Sequence, residues 1–242
     1  MELNHIVFIV MDSCRHDSFV AAFTPNIDRL GPAERRYSYA SWTVPSHHAF
    51  VMGLMPHSSP RDLFASEVYK DEYLQWRART GCDSIEFKAF LPDLSLPKVL
   101  RQLGYRTVAR VSMPVLNRNT LISRDFDDYQ LMRSHNAFAT MVDEMEFPDE
   151  PHYYFLNLGE THYPYMLDGS KLPRISGVHG ALKAMDDAEV ATRAQQGFDP
   201  AQMEMLRQQQ VRCVEYVDTQ IGRLMAMKIG RASCRERVYG LV

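Results

Sequence analysis

Three short apolar runs constrain this chain more than any other feature: His5–Met11, Arg106–Ser112 and His152–Leu158. A strand that alternates apolar and polar residues buries one face. A continuous apolar run of this length buries both, as strands of a parallel sheet do when helices cover each side. A helix signal precedes the second run. Ser95 stands as a cap, Pro97 falls in the first turn, Leu96, Val99, Leu100 and Leu103 lie along one face, and Gly104 stops it. Helix, glycine and strand make half of an α/β unit. Ala201–Lys228 reads as a long helix in which Val211, Val214, Val217 or Asp218, Ile221 and Leu224 recur at helical spacing, a stripe for packing. The expected fold is α/β, with a mostly parallel central sheet, helices on both faces and ligands at the carboxyl ends of the strands.

Composition narrows the function classes. Of the 242 residues, 45% are hydrophobic and 24% charged, enough apolar material for one substantial core. Lys and Arg total 27 against 30 for Asp and Glu, a formal charge of -3, and no block of like charges stands out. Nucleic acid and membrane are therefore not expected as primary partners. The apolar run Ile6–Met11 is too short for a leader core or a spanning helix, so a cytoplasmic location is expected. Cys14, Cys82, Cys213 and Cys234 form no CxxC pair and are expected to be reduced thiols. Two polar stretches, His57–Leu94 and Asp168–Pro200, have the length of lids or binding loops, with a peripheral helix near Ala65–Arg79 as the alternative for the first.

The strand ends carry the candidate chemistry. The first strand runs into Asp12, where a carboxylate can hold a hard cation or serve as a cap or turn former. Arg15 and Asp17 beyond it can pair with each other. In Ser41–Gly53, Pro45 suits the first helical position and Gly53 the stop, which puts Thr43 at or next to the helix N-cap among backbone N–H groups without internal partners. Its hydroxyl is either a cap or a nucleophile facing a bound anion. A cation at Asp12 favours the second reading, because it acidifies a hydroxyl as it does bound water.

Taken together, "IVFIVMDSCRHDSF", "TPNIDRL", "YASWTVPSHHAFVMGLMPHS" and "FLNLGETHYPY" resemble, in order and spacing, the opening of the sulfatase family within the alkaline phosphatase superfamily, from about Leu3 to Lys228. The resemblance implies that Asp12 is a metal ligand, with Ser13 where many members have a second Asp. It aligns Thr43 with the nucleophile of the Cys-x-Pro-Ser-Arg motif, as nucleophile and metal ligand, with Pro45 and Ser46 matching, His47 in place of Arg and Gly53 as the closing Gly. Ser46 and His47 become substrate-binding candidates, although His47 and His48 fit packing or surface roles equally well. His162, beyond the strand end that carries Glu160 and Thr161, would aid the leaving group. Arylsulfatases convert Cys or Ser to formylglycine; Thr43, a secondary alcohol, would yield a ketone, so formylglycine is not expected. Superfamily members that act on phosphodiesters or phosphonates, or transfer phosphoglycerol, use a Thr alkoxide directly.

His57, His135 and His179 lie in loop-like stretches with nothing to single them out, and Asp125, Asp127 and Asp128 read as a turn. Family members continue past the long helix into a strand ending in Asp-His or Asp-Asn. Here "IGRASCRERVYGLV" follows, with Arg, Gly, Ser and Cys in place of a buried strand. Residues 1–228 are thus expected to be the amino-terminal portion of a truncated sulfatase-like catalytic domain and 229–242 a non-native tail. The expected activity is metal-dependent hydrolysis of a small-molecule sulfate or phosphate ester, with calcium, magnesium, manganese or zinc as the divalent ion. The alternatives are a phosphodiesterase or phosphotransferase of the same superfamily and an inactive relative that binds an anion or a partner protein.

Overall fold

The computed structural model describes residues 3–36, 42–53, 95–165, 200–229 and 238–241. The polar stretches, apart from Pro200, lie outside them, as do the helix expected near Ala65–Arg79, His57, His179, Cys82 and Cys234. The elements are β1 (Ile6–Met11), α1 (His16–Ala21), α2 (Pro25–Asp28), α3 (Thr43–Met52), α4 (Leu96–Gln102), β2 (Arg106–Val111), β3 (Asp128–Leu131), α5 (Phe138–Asp143), β4 (His152–Leu158), α6 (Pro200–Ile229) and β5 (Val238–Leu241). The five strands form one wholly parallel sheet in the order β3-β2-β4-β1-β5. The three apolar runs are its central strands, and all seven residues of β4 are buried.

Strand alternation splits the core into two layers. Val7, Ile9, Met11, Tyr154, Leu156 and Leu158 face a layer that includes Phe138, Met141, Val142, Val214, Val217, Ile221 and Leu224. The other face carries Val10, Ala109, Val111, Tyr153 and Phe155 against Val51 and Leu100. The stripe expected on the long helix is the one that packs, and helices cover both faces as a parallel sheet requires.

Two departures have local causes. Asp128 opens a strand instead of closing a turn. Asp127, beside it, accepts hydrogen bonds from Thr107 N–H and Oγ1 (2.8 and 3.0 Å) and so seats β3 on β2. Asp125 accepts from Ser95 Oγ, so the expected cap bonds the last residue of the short 3-10 helix Leu121–Asp125 instead of its own helix. At the other edge, Val238–Leu241 pairs with β1, Val7 opposite Val238 and Val10 opposite Leu241. A strand therefore forms where the sequence offered none, because the open edge of β1 presents backbone groups that pair with any extended segment of suitable residues.

The link between α2 and α6 is polar. Asp218, buried on α6, accepts hydrogen bonds from Asn26 N–H, Asn26 Nδ2 and Ile27 N–H at 2.8 to 2.9 Å. It satisfies the orphan donors of the short helix that "TPNIDRL" builds. Gly222, one turn further on, leaves the space that Asn26 fills: a Cβ there would meet its side chain at 2.8 Å. Among the described residues no helix is long and apolar enough to cross a membrane.

Candidate active site at the ends of β1 and β4

Asp12 follows β1 directly, and its N–H continues the ladder to Leu158 O at 3.1 Å. The chain then turns through Ser13, whose φ of 57° is left-handed for a residue other than Gly, a strain that needs surrounding contacts to hold it. Those contacts come from α6. Gln210 Nε2 donates to Ser13 O at 2.9 Å and to Thr161 O at 2.8 Å, and Thr161 Oγ1 donates to Asp12 O at 2.8 Å. The loops after β1 and β4 are thereby tied to each other and to the long helix. Arg15 and Asp17 pair at the surface, 2.8 Å apart.

The Asp12 side chain is buried, and its carboxylate accepts from three donors: Thr43 Oγ1 at 3.2 Å and Ser13 Oγ at 3.3 Å on Oδ1, and Asn157 Nδ2 at 2.9 Å on Oδ2. Thr43 is the first residue of α3, after Trp42 at the cap. The helix begins earlier than Pro45 suggested, since a proline in the first turn forgoes only an N–H with no intrahelical partner. Gly53 ends the helix at φ 65°, its N–H on Ala49 O at 2.9 Å. A half-buried hydroxyl at a helix N-terminus, bonded to a buried carboxylate, joins a possible nucleophile, a proton acceptor and backbone donors for an anion.

His47 lies inside this arrangement, only 1% exposed. Its Nδ1 bonds Thr43 O at 2.7 Å and its Nε2 meets Asn157 Nδ2 at 3.0 Å, so in this conformation neither ring nitrogen faces an anion. Burial pushes its pKa below the usual histidine range, with the Asp12 charge and the Thr43 carbonyl opposing in part. Ser46 Oγ donates to Trp42 O at 2.9 Å. His48 is lowered by burial as well.

His162 sits on the loop after β4. Its N–H bonds Gly159 O at 3.0 Å, its Nδ1 lies 2.6 Å from Tyr163 O, and its ring centroid is 5.6 Å from that of His135. His135, which nothing in the sequence singled out, also packs its backbone against Gly159, where a Cβ would come within 2.3 Å of His135 O. Its Nε2 lies 3.3 Å from His162 O. Glu160 is fully buried; Oε1 accepts from Phe138 N–H at 2.7 Å, and Oε2 has no hydrogen-bond partner among the described residues. Burial pushes its carboxyl up to about 6, against backbone N–H groups that lower it. The same burial raises Cys14 and Cys213, both free thiols, to about 12.

Two residues escaped the sequence reading. Asn157 is a carboxamide in a strand that is otherwise apolar at this end, and a polar residue inside a buried run was the available signal. Gln210 lies on the long helix, a polar residue beside an apolar stripe whose periodicity is the only sequence signal there.

The donor set admits part of a cation's shell. Asp12 Oδ1 and the Thr43 and Ser13 hydroxyls are hard oxygens suited to calcium, magnesium or manganese. No group of three His, Cys, Asp or Glu side chains that could hold a metal occurs among the described residues. These residues alone thus fall short of a full site.

No family model matches the chain, and no curated protein is similar to it in sequence. Solved structures are. A protein in the alkaline phosphatase superfamily from Vibrio parahaemolyticus shares 14% identity at a TM-score of 0.50, covering 96% of this chain and 52% of that one. The zinc complex of the C-terminal periplasmic domain of EptC from Escherichia coli gives 15% and 0.47, with 95% and 61% covered. The lipoteichoic acid synthase LtaP from Listeria monocytogenes gives 13% and 0.48, with 94% and 52% covered. The chain thus spans between half and two thirds of these structures. With its parallel sheet and flanking helices, it has the fold of the alkaline phosphatase superfamily.

Proposed function

We propose that the chain is the amino-terminal part of a sulfatase-like, metal-dependent hydrolase of sulfate or phosphate esters. In this reading Thr43 is the nucleophile, Asp12 its partner and a metal ligand, and His162 the aid to the leaving group. The observation that carries it is the 3.2 Å hydrogen bond between Thr43 Oγ1 and Asp12 Oδ1 at the N-terminus of α3. A carboxylate only accepts, so the Thr43 proton points at Asp12. As Thr43 Oγ bonds to phosphorus or sulfur, that proton leaves toward Asp12 Oδ1, backbone N–H groups of the first helical turn face the anionic oxygens, and His162 supplies a proton to the departing alcohol oxygen. A divalent cation, when bound, supplies the acidity that an aliphatic hydroxyl lacks at neutral pH.

Thr43 favours a phosphoryl group and the motif resemblance a sulfuryl group. A phosphodiesterase or phosphotransferase therefore stands beside the sulfatase reading. A second class, an inactive relative that binds an anion, is favoured by one observation: internal donors already occupy both oxygens of Asp12.

The test is turnover of p-nitrophenyl sulfate, p-nitrophenyl phosphate and bis(p-nitrophenyl) phosphate by the full-length protein that carries this chain, with magnesium, calcium, manganese or zinc added. The wild type should turn over at least one ester, and Thr43→Ala should abolish that while leaving circular dichroism unchanged. Turnover surviving in T43A removes the nucleophile, and no turnover of any ester favours the inactive relative. The cytoplasmic setting belongs to the same proposal, and recovery of the native protein from the periplasm would overturn it.

A further inference from the structure

Four hydrogen bonds close into a ring around Thr43. Thr43 Oγ1 donates to Asp12 Oδ1 (3.2 Å), Asn157 Nδ2 donates to Asp12 Oδ2 (2.9 Å) and to His47 Nε2 (3.0 Å), and His47 Nδ1 returns to Thr43 O (2.7 Å). The ring has one consistent set of donors and acceptors. Met113 N–H, a donor only, lies 3.1 Å from Asn157 Oδ1, and the Asp12 carboxylate accepts only, so the amide nitrogen of Asn157 faces the site. Its two N–H groups then meet two acceptors, one on Asp12 and one on His47. Nε2 of His47 must therefore carry the lone pair and Nδ1 the proton, which it gives to the Thr43 carbonyl. Asn157 and His47 are both buried, so water offers no substitute partner for these atoms.

We propose that Asn157 is a positioning residue for Thr43: it holds the Asp12 carboxylate on one side and, through His47, the Thr43 backbone on the other. The proposal rests on Thr43 being the nucleophile. Asn157 sets the approach of hydroxyl to carboxylate without touching a substrate, and His47 acts as a strut between β4 and α3. The lone polar residue on this face of a strand that otherwise carries Tyr153 and Phe155 there is explained by the two acceptors it must serve.

The test uses 15N-histidine NMR at pH 8, with His47 assigned by comparison with His47→Gln, together with ester turnover. The wild type should show His47 protonated at Nδ1, the less common neutral tautomer. Asn157→Asp puts an acceptor opposite Nε2 and should move the proton to Nε2; Asn157→Leu should remove the constraint. Each variant should lower kcat by about tenfold or more while KM for the p-nitrophenyl ester rises by a smaller factor, because the Asp12 carboxylate that Asn157 holds orients the Thr43 hydroxyl, which acts as its bond to phosphorus or sulfur forms. Asp and Leu differ in kind, so failure of one to fold leaves the other to decide.

A wild-type His47 protonated at Nε2, or a tautomer unchanged in both variants, overturns the proposal. So does unchanged kcat in a folded variant whose tautomer has moved, which would leave Asn157 a structural residue only. Loss of the nucleophile reading is distinguishable: T43A keeps the Thr43 carbonyl and hence the Nδ1 proton, so retained turnover in T43A with an intact Nδ1 signal refutes the nucleophile and not the ring. If the wild type turns over no ester, the tautomer of N157D alone decides whether the ring exists as described.

Discussion

Asp218 on α6 receives both the backbone N–H and the side-chain amide of Asn26, at 2.9 and 2.8 Å. With the Ile27 N–H also bonded, one carboxylate carries the docking of α2. Asp218→Ala leaves three donors without this acceptor and should lower stability by about 2–4 kcal/mol. Asp218→Asn, which keeps an acceptor oxygen, should lose less. Urea unfolding of the two variants checks this, and equal losses would show that the carboxylate charge and geometry are not what hold α2.

Gly222 faces the same asparagine. Gly222→Ala places a methyl 2.8 Å from the Asn26 side chain, and although alanine favours a helix the clash should dominate, for a net loss of about 1–3 kcal/mol. In the Asn26→Ala background the same substitution should become neutral or stabilising. A double-mutant cycle reads the coupling directly, and additive effects would place the cost elsewhere.

Glu160 couples folding to pH. Its carboxyl is raised by burial to about 6 from an ordinary 4.5, so the folded state holds the proton more tightly than the unfolded chain. The associated stability is fully present below about pH 4.5 and is lost as pH rises through about 6. At pH 7 the loss is on the order of 2 kcal/mol. Glu160→Gln keeps the acceptor for Phe138 N–H and removes the charge. Its stability should match the wild type near pH 4.5 and exceed it by pH 7, and parallel stability curves for the two proteins would exclude Glu160 as the source.

The burial that raises Cys14 and Cys213 to about 12 leaves almost no thiolate at neutral pH. Iodoacetamide at pH 8 should leave both unmodified in the folded protein and label both in urea, as read by peptide mass mapping. Rapid labelling of Cys213 in the folded state would contradict its burial on the inner face of α6.

Gln210 spans the two site loops. Gln210→Ala strips the carbonyls of Ser13 and Thr161 of a buried donor and should cost about 1–3 kcal/mol. Local exchange should rise more than global unfolding predicts, because Ser13 at φ 57° loses the contact that holds it. Hydrogen exchange of residues 12–16 and 160–163 is the measurement, and protection equal to wild type would show that other contacts carry the strain.

Much of the layout was determined by local chemistry. Continuous apolar runs set the central strands, Gly53 and Gly104 ended the helices before them, and the stripe Val214, Val217, Ile221 and Leu224 marked the buried face of α6, because side-chain period and backbone preference act within a few residues. Asp12 and Thr43 were visible for the same reason, each standing at the end or start of a periodic element. Tertiary structure alone decided the order β3-β2-β4-β1-β5, the pairing of Val238–Leu241 with β1 and the conversion of Asp128 from turn to strand. It also decided the partners of the site. His47 read as a residue that could face an anion; it turned inward because Asn157, 110 positions away in sequence, offered its second N–H. Asn157 itself is one polar letter in an apolar strand until β4 is laid beside β1 and α3 above them. Hydrogen-bond complementarity between distant segments has no sequence period, so it becomes legible only when the fold has brought the donors and acceptors together.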